Sequence, residues 1–358
     1  MSRFNRYLGA VSAFALIAGT ASPAFAAGTA ANTSITNTAT VSFNVGGVAQ
    51  TAVSDSDTFV VDRKINVTVT ATGTSPTVSA NTQNVVRQFT VTNTSNAAAG
   101  FALTTNQATT HGLTLSNVRI YVDANNDGIA QAGELTSSLL SLAPDAVANV
   151  LVLFDVPASA TNNQTADIRL IANAYEPVTT GSLTTEIVAS TAADSPTVVD
   201  TVLADLAGPA GDAANAGDHS AQHTVTVQAA AVTVNKVSRV VTGPPGALTS
   251  LYAVPGAVVE YCIAVSNATG AATATNVTVS DNLTPAAGAL PVTLAPNVFG
   301  TAGDIAINGT SINTTTNECA GGTDTDKSYT TATRLISETL EDIPAGATRT
   351  LRFRVTIN

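Results

Sequence analysis

The chain alternates. Over long stretches an apolar residue is followed by a hydroxyl or amide residue and then by another apolar one. This is the two-residue period of a pleated strand with one face buried. Ile65-Asn66-Val67-Thr68-Val69 is a clean run, and Val86-Arg87-Gln88-Phe89-Thr90-Val91-Thr92-Asn93 is another. Ile35 to Val45 and Thr58 to Val61 flank a Gly46-Gly47 pair and read as a long hairpin. A lone hairpin is marginal in water, so it is expected to add to a neighbouring sheet, and the sequence does not decide between a sheet of the same chain and the sheet edge of another copy. Residues 64–175 hold further strands at sandwich spacing: Phe101 to Thr104, Val118 to Val122, Asn149 to Phe154 and Asp167 to Ala172. Residues 176–230 are less regular, with Thr184 to Ala189 a candidate strand and Thr224 to Val227 closing the stretch. From Ala231 onward the alternation returns, interrupted at Gly243-Pro244-Pro245-Gly246. The expected organisation is a leader at 1–26, hairpin strands at 27–63 joining a first sandwich at 64–230, and a second domain at 231–358.

One stretch breaks the β pattern with chemistry. Asp123 to Glu134 reads D-A-N-N-D-G-I-A-Q-A-G-E. Calcium takes six to eight oxygens, and a twelve-residue loop supplies them from positions 1, 3, 5, 7, 9 and 12, with Gly at 6 for the turn. Those positions are Asp123, Asn125, Asp127, Ile129 (through its carbonyl), Gln131 (through water) and Glu134, with Gly128 at the turn. The flanks are strand-like, so the loop is placed between strands of a β domain. The expected ligand is Ca²⁺, held in the range of extracellular modules, roughly 0.1–1 mM. The competing reading is a polar loop of Asx turns that binds no ion.

The N-terminus changes where this chemistry is read. Arg3 and Arg6, the apolar run Leu8 to Ala18 and the small-residue site ending at Ala26 form a secretory signal, with cleavage after Ala26. That run is too short for a membrane span of about 20 residues, and no transmembrane span is expected after cleavage. The leader carries two Arg and no acid, so its removal takes the net charge from −11 to −13. Such acidity argues against nucleic acid and anionic lipid as partners. Charged residues make up 11% of the chain, against about a quarter in ordinary globular domains. An exported chain meets an oxidising compartment, so Cys262 and Cys319 are expected to form a disulfide.

The last third resembles a known module. Pro255, Gly256, Val259, Tyr261, Ile263, Val265 and Asn267 stand in the pattern P-G-x-x-V-x-Y-x-I-x-V-x-N. Asn276, Val277, Val279 and Asp281 follow it, then Ile343-Pro344-Ala345-Gly346 before a last strand. This order is similar to the conserved-repeat surface module catalogued as domain of unknown function 11, an immunoglobulin-like β-sandwich. The segment Phe89 to Asn93 echoes the same strand-to-Asn step, a weak internal repeat. The resemblance implies an exported or cell-surface protein of structural or adhesive type and no catalytic residues. The fold class expected is therefore all-β, with tandem immunoglobulin-like β-sandwich domains after a cleaved signal peptide. Family strands carry a small polar residue where Cys262 stands. By alternation Tyr261, Ile263 and Val265 face the core and Cys262 the outer face, where a bridge to Cys319 would tack the long loop Asn297 to Lys327 onto the sheet.

Function follows from what is present. The expected role is a non-catalytic secreted or cell-surface structural or adhesive protein with a calcium-stabilised sandwich, extracellular or at the cell surface, with a periplasmic place the other option. Its partners would be other copies of itself or components of the surface or matrix. The alternative is a calcium-dependent carbohydrate- or ligand-binding module, although the chain has no Trp to serve as a sugar platform. Enzymatic function finds few parts: His111, His219 and His223 are the histidines, and no G-x-S-x-G motif occurs. His219 and His223 stand four apart but lack the Glu of H-E-x-x-H, which favours a structural or exposed role over zinc. The aspartates Asp194, Asp200, Asp205, Asp212 and Asp218 punctuate a Gly/Ala/Pro-rich stretch, read as solvated loop rather than as a second ion site.

Overall fold

The computed structural model describes residues 28–109, 112–243, 251–283, 292–294, 305–324, 329–330 and 334–358. The leader, His111 and Pro244 to Gly246 lie outside them. The alternation becomes strand nearly everywhere. The N-terminal hairpin comprises β1 (Ser34–Val41), β2 (Asn44–Val45), β3 (Val48–Ala49) and β4 (Val53–Val60). Next come β5 (Arg63–Ile65), β6 (Val67–Thr72), β7 (Val85–Asn93), β8 (Ala99–Thr109), β9 (Ser116–Asp123), β10 (Ser138–Leu142), β11 (Val147–Asp155), β12 (Thr165–Tyr175), β13 (Thr201–Leu203) and β14 (Asp218–Thr226). The last third holds β15 (Val232–Thr242), β16 (Val258–Asn267), β17 (Thr278–Asn282), β18 (Val292–Leu294), β19 (Ile305–Asn313), β20 (Glu318–Asp324), β21 (Tyr329–Thr330), β22 (Leu335–Thr339) and β23 (Thr348–Ile357). The fold is all-β, and no helix among the described residues is long and apolar enough to cross a membrane.

Two sandwiches result. In the first, the sheet β6-β7-β11-β9 faces the sheet β10-β8-β12-β14. Phe89, Val91, Val150, Val152 and Phe154 from one sheet meet Phe101, Leu103, Ile168 and Leu170 from the other in one buried cluster. Burial of such side chains stabilises by roughly 1.5–3 kcal/mol each, as an upper estimate. In the second, the sheet β15-β16-β23-β19-β20 faces the smaller sheet β17-β22-β21. Its core gathers Ile263, Val265, Leu283, Ile305, Ile336, Ile343, Leu351 and Phe353. Each core-facing run is one parity of a strand, as the alternation predicts.

The two sandwiches repeat one plan. In chain order β6, β7, β9 and β11 pair as β15, β16, β19 and β23 do, and β8 pairs with β10 as β17 does with β22. The strand-final asparagines carry the repeat into side-chain detail. Asn93 Nδ2 donates to the Leu142 carbonyl at 2.8 Å, and Asn267 Nδ2 donates to the Ile343 carbonyl at 2.9 Å. The backbone N–H of Asn93 donates to Ala146 O, and that of Asn267 to Ala347 O. Asp145 and Gly346 return a bond to the same asparagines' carbonyls, and both have positive φ, 62° and 72°. Leu142-Ala143-Pro144-Asp145-Ala146 and Ile343-Pro344-Ala345-Gly346-Ala347 are thus the same turn.

Three expectations need correction. The N-terminal hairpin does not add to a neighbouring sheet. β1 pairs with β4 and with no other strand, from Ser34↔Val60 to Val41↔Val53, and nearly every residue of it is exposed. Only its base is tied down, by Asn32 N to Val61 O, Ala31 N to Asn96 O and Val60 N to Pro196 O. Thr184 to Ala189 is not a strand; Glu186 alone forms a bridge, to Tyr175. Finally, Cys262 and Cys319 are bonded, and Cys262 is on the face opposite Tyr261 and Ile263, but it is buried at 0% exposure. Cys319 lies in a strand rather than a loop. The β19–β20 hairpin curls back over the outer face of β16 and covers it. Residues 297–304 and 325–327 of the expected loop lie outside the described residues.

The same covered face holds a buried charge. Glu260 is 0% exposed, and its register partners are Arg239 on β15 and Arg354 on β23. Arg239 Nη2 and Arg354 Nη2 reach its carboxylate at 2.9 and 2.7 Å, and Arg239 also holds Glu318 at 3.0 Å. Glu260→Gln leaves two guanidinium groups over a neutral amide. We expect a loss of about 3–5 kcal/mol in chemical denaturation, where an exposed pair would cost under about 1 kcal/mol. Replacing both cysteines by alanine opens a loop with a sequence separation of 57 residues. The expected cost is about 4 kcal/mol, read in the same measurement.

Candidate calcium loop

β9 delivers Asp123 at its last position, and the chain then leaves the sheet. Asp123 is 4% exposed, while Asn125, Asp127 and Gln131 are exposed. The side chain of Asp123 acts as the hub of the loop. One of its oxygens accepts the N–H of Asp127 at 3.2 Å, and the other accepts that of Gly128 at 2.9 Å. Asn125 Oδ1 also accepts from Asp127 N, and Asp127 Oδ1 accepts from Ile129 N at 2.8 Å. Glu134 closes the ring, taking the N–H of Ala124 at 3.1 Å and that of Gln131 at 3.3 Å. Gly128 has φ +73°, and a Cβ there would sit 3.1 Å from the Gln88 side chain. Glycine therefore meets both a left-handed backbone and a close neighbour at this position.

The loop is laid on the outer face of its sheet. Tyr121, Leu151 and Leu153 point away from the main core and form a satellite apolar cluster, which Ala130 and Val86 complete. Leu135 bridges back to Tyr121. A cleft of about 190 Å³ separates loop from sheet and is lined by Thr72, Gln88, Asp123, Asp127, Gly128 and Asn149 among others. Tyr121 and Phe154 are both buried and cannot act as sugar platforms.

The donor set fits a hard cation: three carboxylates, one amide oxygen and a backbone carbonyl, with no sulfur or imidazole. The structure brings all six predicted residues into one loop. It does not bring their carboxylates to coordination spacing, because Asp123, Asp127 and Glu134 do not form a group whose oxygens lie within 4.8 Å of one another. Each is held instead by N–H donors, and Asp127 Oδ2 also accepts from the amides of Asn125 and Gln131. A cation would compete with those two amide bonds.

A different triad does reach that spacing. Asp62, Asp194 and Asp200 place carboxylate oxygens within 4.8 Å of one another. Asp62 lies 138 positions from Asp200, whose backbone N–H it accepts at 2.8 Å, so sequence spacing gave no sign of it. Asp205 is buried and takes the N–H groups of Ala216 and Gly217, a loop-fastening role. The histidines also spend their nitrogens on structure. His219 Nδ1 accepts from Val69 N, and His223 lies between Ser75 Oγ at 2.6 Å and Gln88 O at 2.9 Å, edge-on to Phe89. Both stand on strand β14, in a stretch whose sequence reads as irregular up to Thr224.

Comparisons with known proteins find only distant likenesses. No family model matches the chain, so the likeness to domain of unknown function 11 rests on the residues quoted above. No curated protein matches either. Among solved structures, the chain is similar to the C-terminal domain of the Streptococcus agalactiae AgI/II polypeptide BspA, at 8% identity and a TM-score of 0.29, covering 81% of this chain and 91% of that one. The C-terminal domain of the Streptococcus pyogenes antigen I/II-family protein AspA gives 9% and 0.24, covering 82% and 91%. The secreted serine protease VesC from Vibrio cholerae gives 11% and 0.21, covering 79% of this chain and 44% of that one. At such TM-scores these likenesses carry no argument about fold or activity.

Asp218 offers a test of the acidic region. Burial raises its carboxyl above the ordinary value, and the negative charges of Asp212, Asp205 and Glu186 add to this. The folded state therefore holds the proton more tightly than the unfolded chain. Stability from this group is complete below the unfolded carboxylate value, about 3.9, and is lost as pH rises through the raised folded value. Asp218→Asn should raise Tm at pH 7 and leave it nearly unchanged at pH 3.5. An equal drop at both values would overturn the assignment.

Proposed function

We infer that this chain is an exported, non-catalytic structural or adhesive protein of the cell surface or extracellular matrix, and that Ca²⁺ bound at Asp123, Asn125, Asp127, Ile129, Gln131 and Glu134 stiffens its first sandwich. The observation that carries the reading is the loop itself. Twelve residues in cation-binding register are gathered around a buried Asp123 and lie as a flap on an outer sheet face. A cation there would fasten the flap over Tyr121, Leu151 and Leu153 and stabilise the folded form alone. The leader and the Cys262–Cys319 bridge support an oxidising destination. His219 Nδ1 and both ring nitrogens of His223 are engaged in structural bonds, which supports a non-catalytic role.

With a Kd of roughly 0.1–1 mM, 10 mM Ca²⁺ adds about 1.4–2.7 kcal/mol to the folded state. Calorimetric melting should show a Tm several degrees higher in calcium than in chelator. Asp123→Asn and Glu134→Gln should each remove that difference. An identical Tm with and without calcium in the unsubstituted protein would sink the calcium part of the reading.

A further inference from the structure

The two sandwiches differ at one place. In the first, the free side of β8 is covered by β12, and β12 in turn pairs with β14 over nine positions from Thr165↔Thr226 to Asn173↔Asp218. In the second, β17 is the counterpart of β8, and no described strand pairs with its free side. β15, the counterpart of β6, is likewise at a sheet edge. The result is a groove of about 430 Å³ between β15 and β17, lined by Val232, Val234, Ile263, Val265, Val277 and Val279 among others. Val234 lies opposite Val265 in register, and Val265 faces the core. Val232 and Val234 share that face yet are 42% and 66% exposed. Among the described residues, no strand packs over them. Lys236 and Asp281 pair across one end of the groove and close it there.

The chain also carries an antiparallel pair with no sheet to belong to. β1 and β4 pair over eight positions and expose both edges. One face presents Ile35, Ala39, Val41, Val53 and Phe59, with Asn37, Asp55 and Asp57 among them, and β1 ends at Val41 before Phe43 and Val45 follow in the chain. The other face is a hydroxyl ladder, with Thr36 to Thr58 and Thr40 to Ser54 each at 2.8 Å. Val41, Phe43, Val45 and Val53 are 62%, 45%, 61% and 61% exposed. β1 has eight residues, three fewer than β12. Its apolar residues Ile35, Ala39 and Val41 share one parity, as Ala166, Ile168, Leu170 and Ala172 do on the face with which β12 fills the first core.

The hairpin and the groove of one chain sit at opposite ends of the first sandwich. The hairpin base is fastened beside Asn96, at the Asn93 end of β7. The second sandwich is reached at the Val85 end, where Val156 N meets Thr82 O, Asn163 N meets Val227 O, and Asn162 Nδ2 meets Gly270 O. Eight residue steps of strand, about 27 Å, lie between. A hairpin at one pole and a groove at the other make a heterologous interface, which propagates from copy to copy.

We propose that the β1–β4 hairpin of one copy occupies the β15/β17 groove of the next, taking there the place that β12 and β14 take in the first sandwich, so that the protein assembles head to tail. β1 lies along the free edge of β17 with Ala39, Val41 and Phe43 over Val232 and Val234, and the hydroxyl ladder faces water. The hairpin offers one side of an ordinary interface of about 20–30 residues and 800 Å² per partner. This deepens the structural reading above but needs no calcium, so the two can fail separately.

The test uses the whole secreted chain and two variants, Val41→Asp with Phe43→Asp in the hairpin and Val234→Lys in the groove. All three positions are exposed, and a dichroism melt within a few degrees of the parent checks folding. Light scattering and electron microscopy should show species that grow with concentration in the parent, with or without chelator. Each variant alone should stay monomeric to about 100 µM. An equimolar mixture of the two retains one intact hairpin and one intact groove, and should give a two-copy species and nothing larger. A parent monomeric throughout would overturn the proposal. So would loss in the hairpin variant with none in the groove variant, which would mean hairpins pairing with each other. Loss in the groove variant alone would overturn it too, because some other segment would then fill the groove.

Discussion

One buried asparagine per sandwich organises the rest. Asn93 and Asn267 are almost fully inaccessible, and each ends the second strand of its domain. An amide in such a place must satisfy its donors or cost several kcal/mol. Asn93 does so by giving Nδ2 to Ala97 O and Leu142 O while its Oδ1 accepts Ser95 N. Asn267 gives Nδ2 to Ala272 O and Ile343 O while its Oδ1 accepts Ala231 N. Each asparagine therefore joins the end of its own strand to the turn before the last strand of the common plan. Asp145 or Gly346 must adopt positive φ to present that turn, which is why short polar or glycine side chains stand there. With the turn fixed, the register of β11 and β23 is fixed, and with it the parity that sends Val150 or Leu351 inward.

The shared plan also explains where the two unusual covalent and ionic features sit. In both domains the chain must cross from one sheet to the other after the same strand, β9 or β19, before reaching β10 or β22. Both crossings are long, and both fold back over the outer face of the sheet they leave. In the first the flap covers Tyr121, Leu151 and Leu153. In the second the β19–β20 hairpin covers Cys262 and Glu260 and is bolted by the disulfide. A flap on a half-apolar outer face has little core of its own and would open at low cost. The cystine fastens one of them covalently. Under the calcium reading, the cation fastens the other, at the equivalent place in the chain.

Much of this was legible in the sequence, and the misses have physical causes. Strands and their core faces follow from period-two alternation, and Gly46-Gly47 marked its turn. The loop from Asp123 to Glu134 was legible because its ligand spacing is local. What could not be read were pairings between distant segments. Asp62 meets Asp194 and Asp200 only because β5 runs beside β13. Glu260 finds Arg239 and Arg354 only through the register of three strands. Alternation correctly put Cys262 on the face away from Tyr261, but alternation says nothing of what covers that face. The hairpin misled for the same reason. Its pattern led to the expectation of a neighbouring sheet, and among the described residues no strand outside the hairpin pairs with β1 or β4.

The hairpin's composition bears on that last point. A two-stranded ribbon with bare edges is a hazard, since any exposed strand can pair with it. Here Asp55 and Asp57 stand on the apolar face opposite Ala39 and Asn37, and the other face is all hydroxyl except Val60. Charge inside an apolar stripe weakens stacking of identical hairpins, because like carboxylates would be brought together and desolvated. The acidic pair thus acts against the symmetric way of satisfying one exposed ribbon.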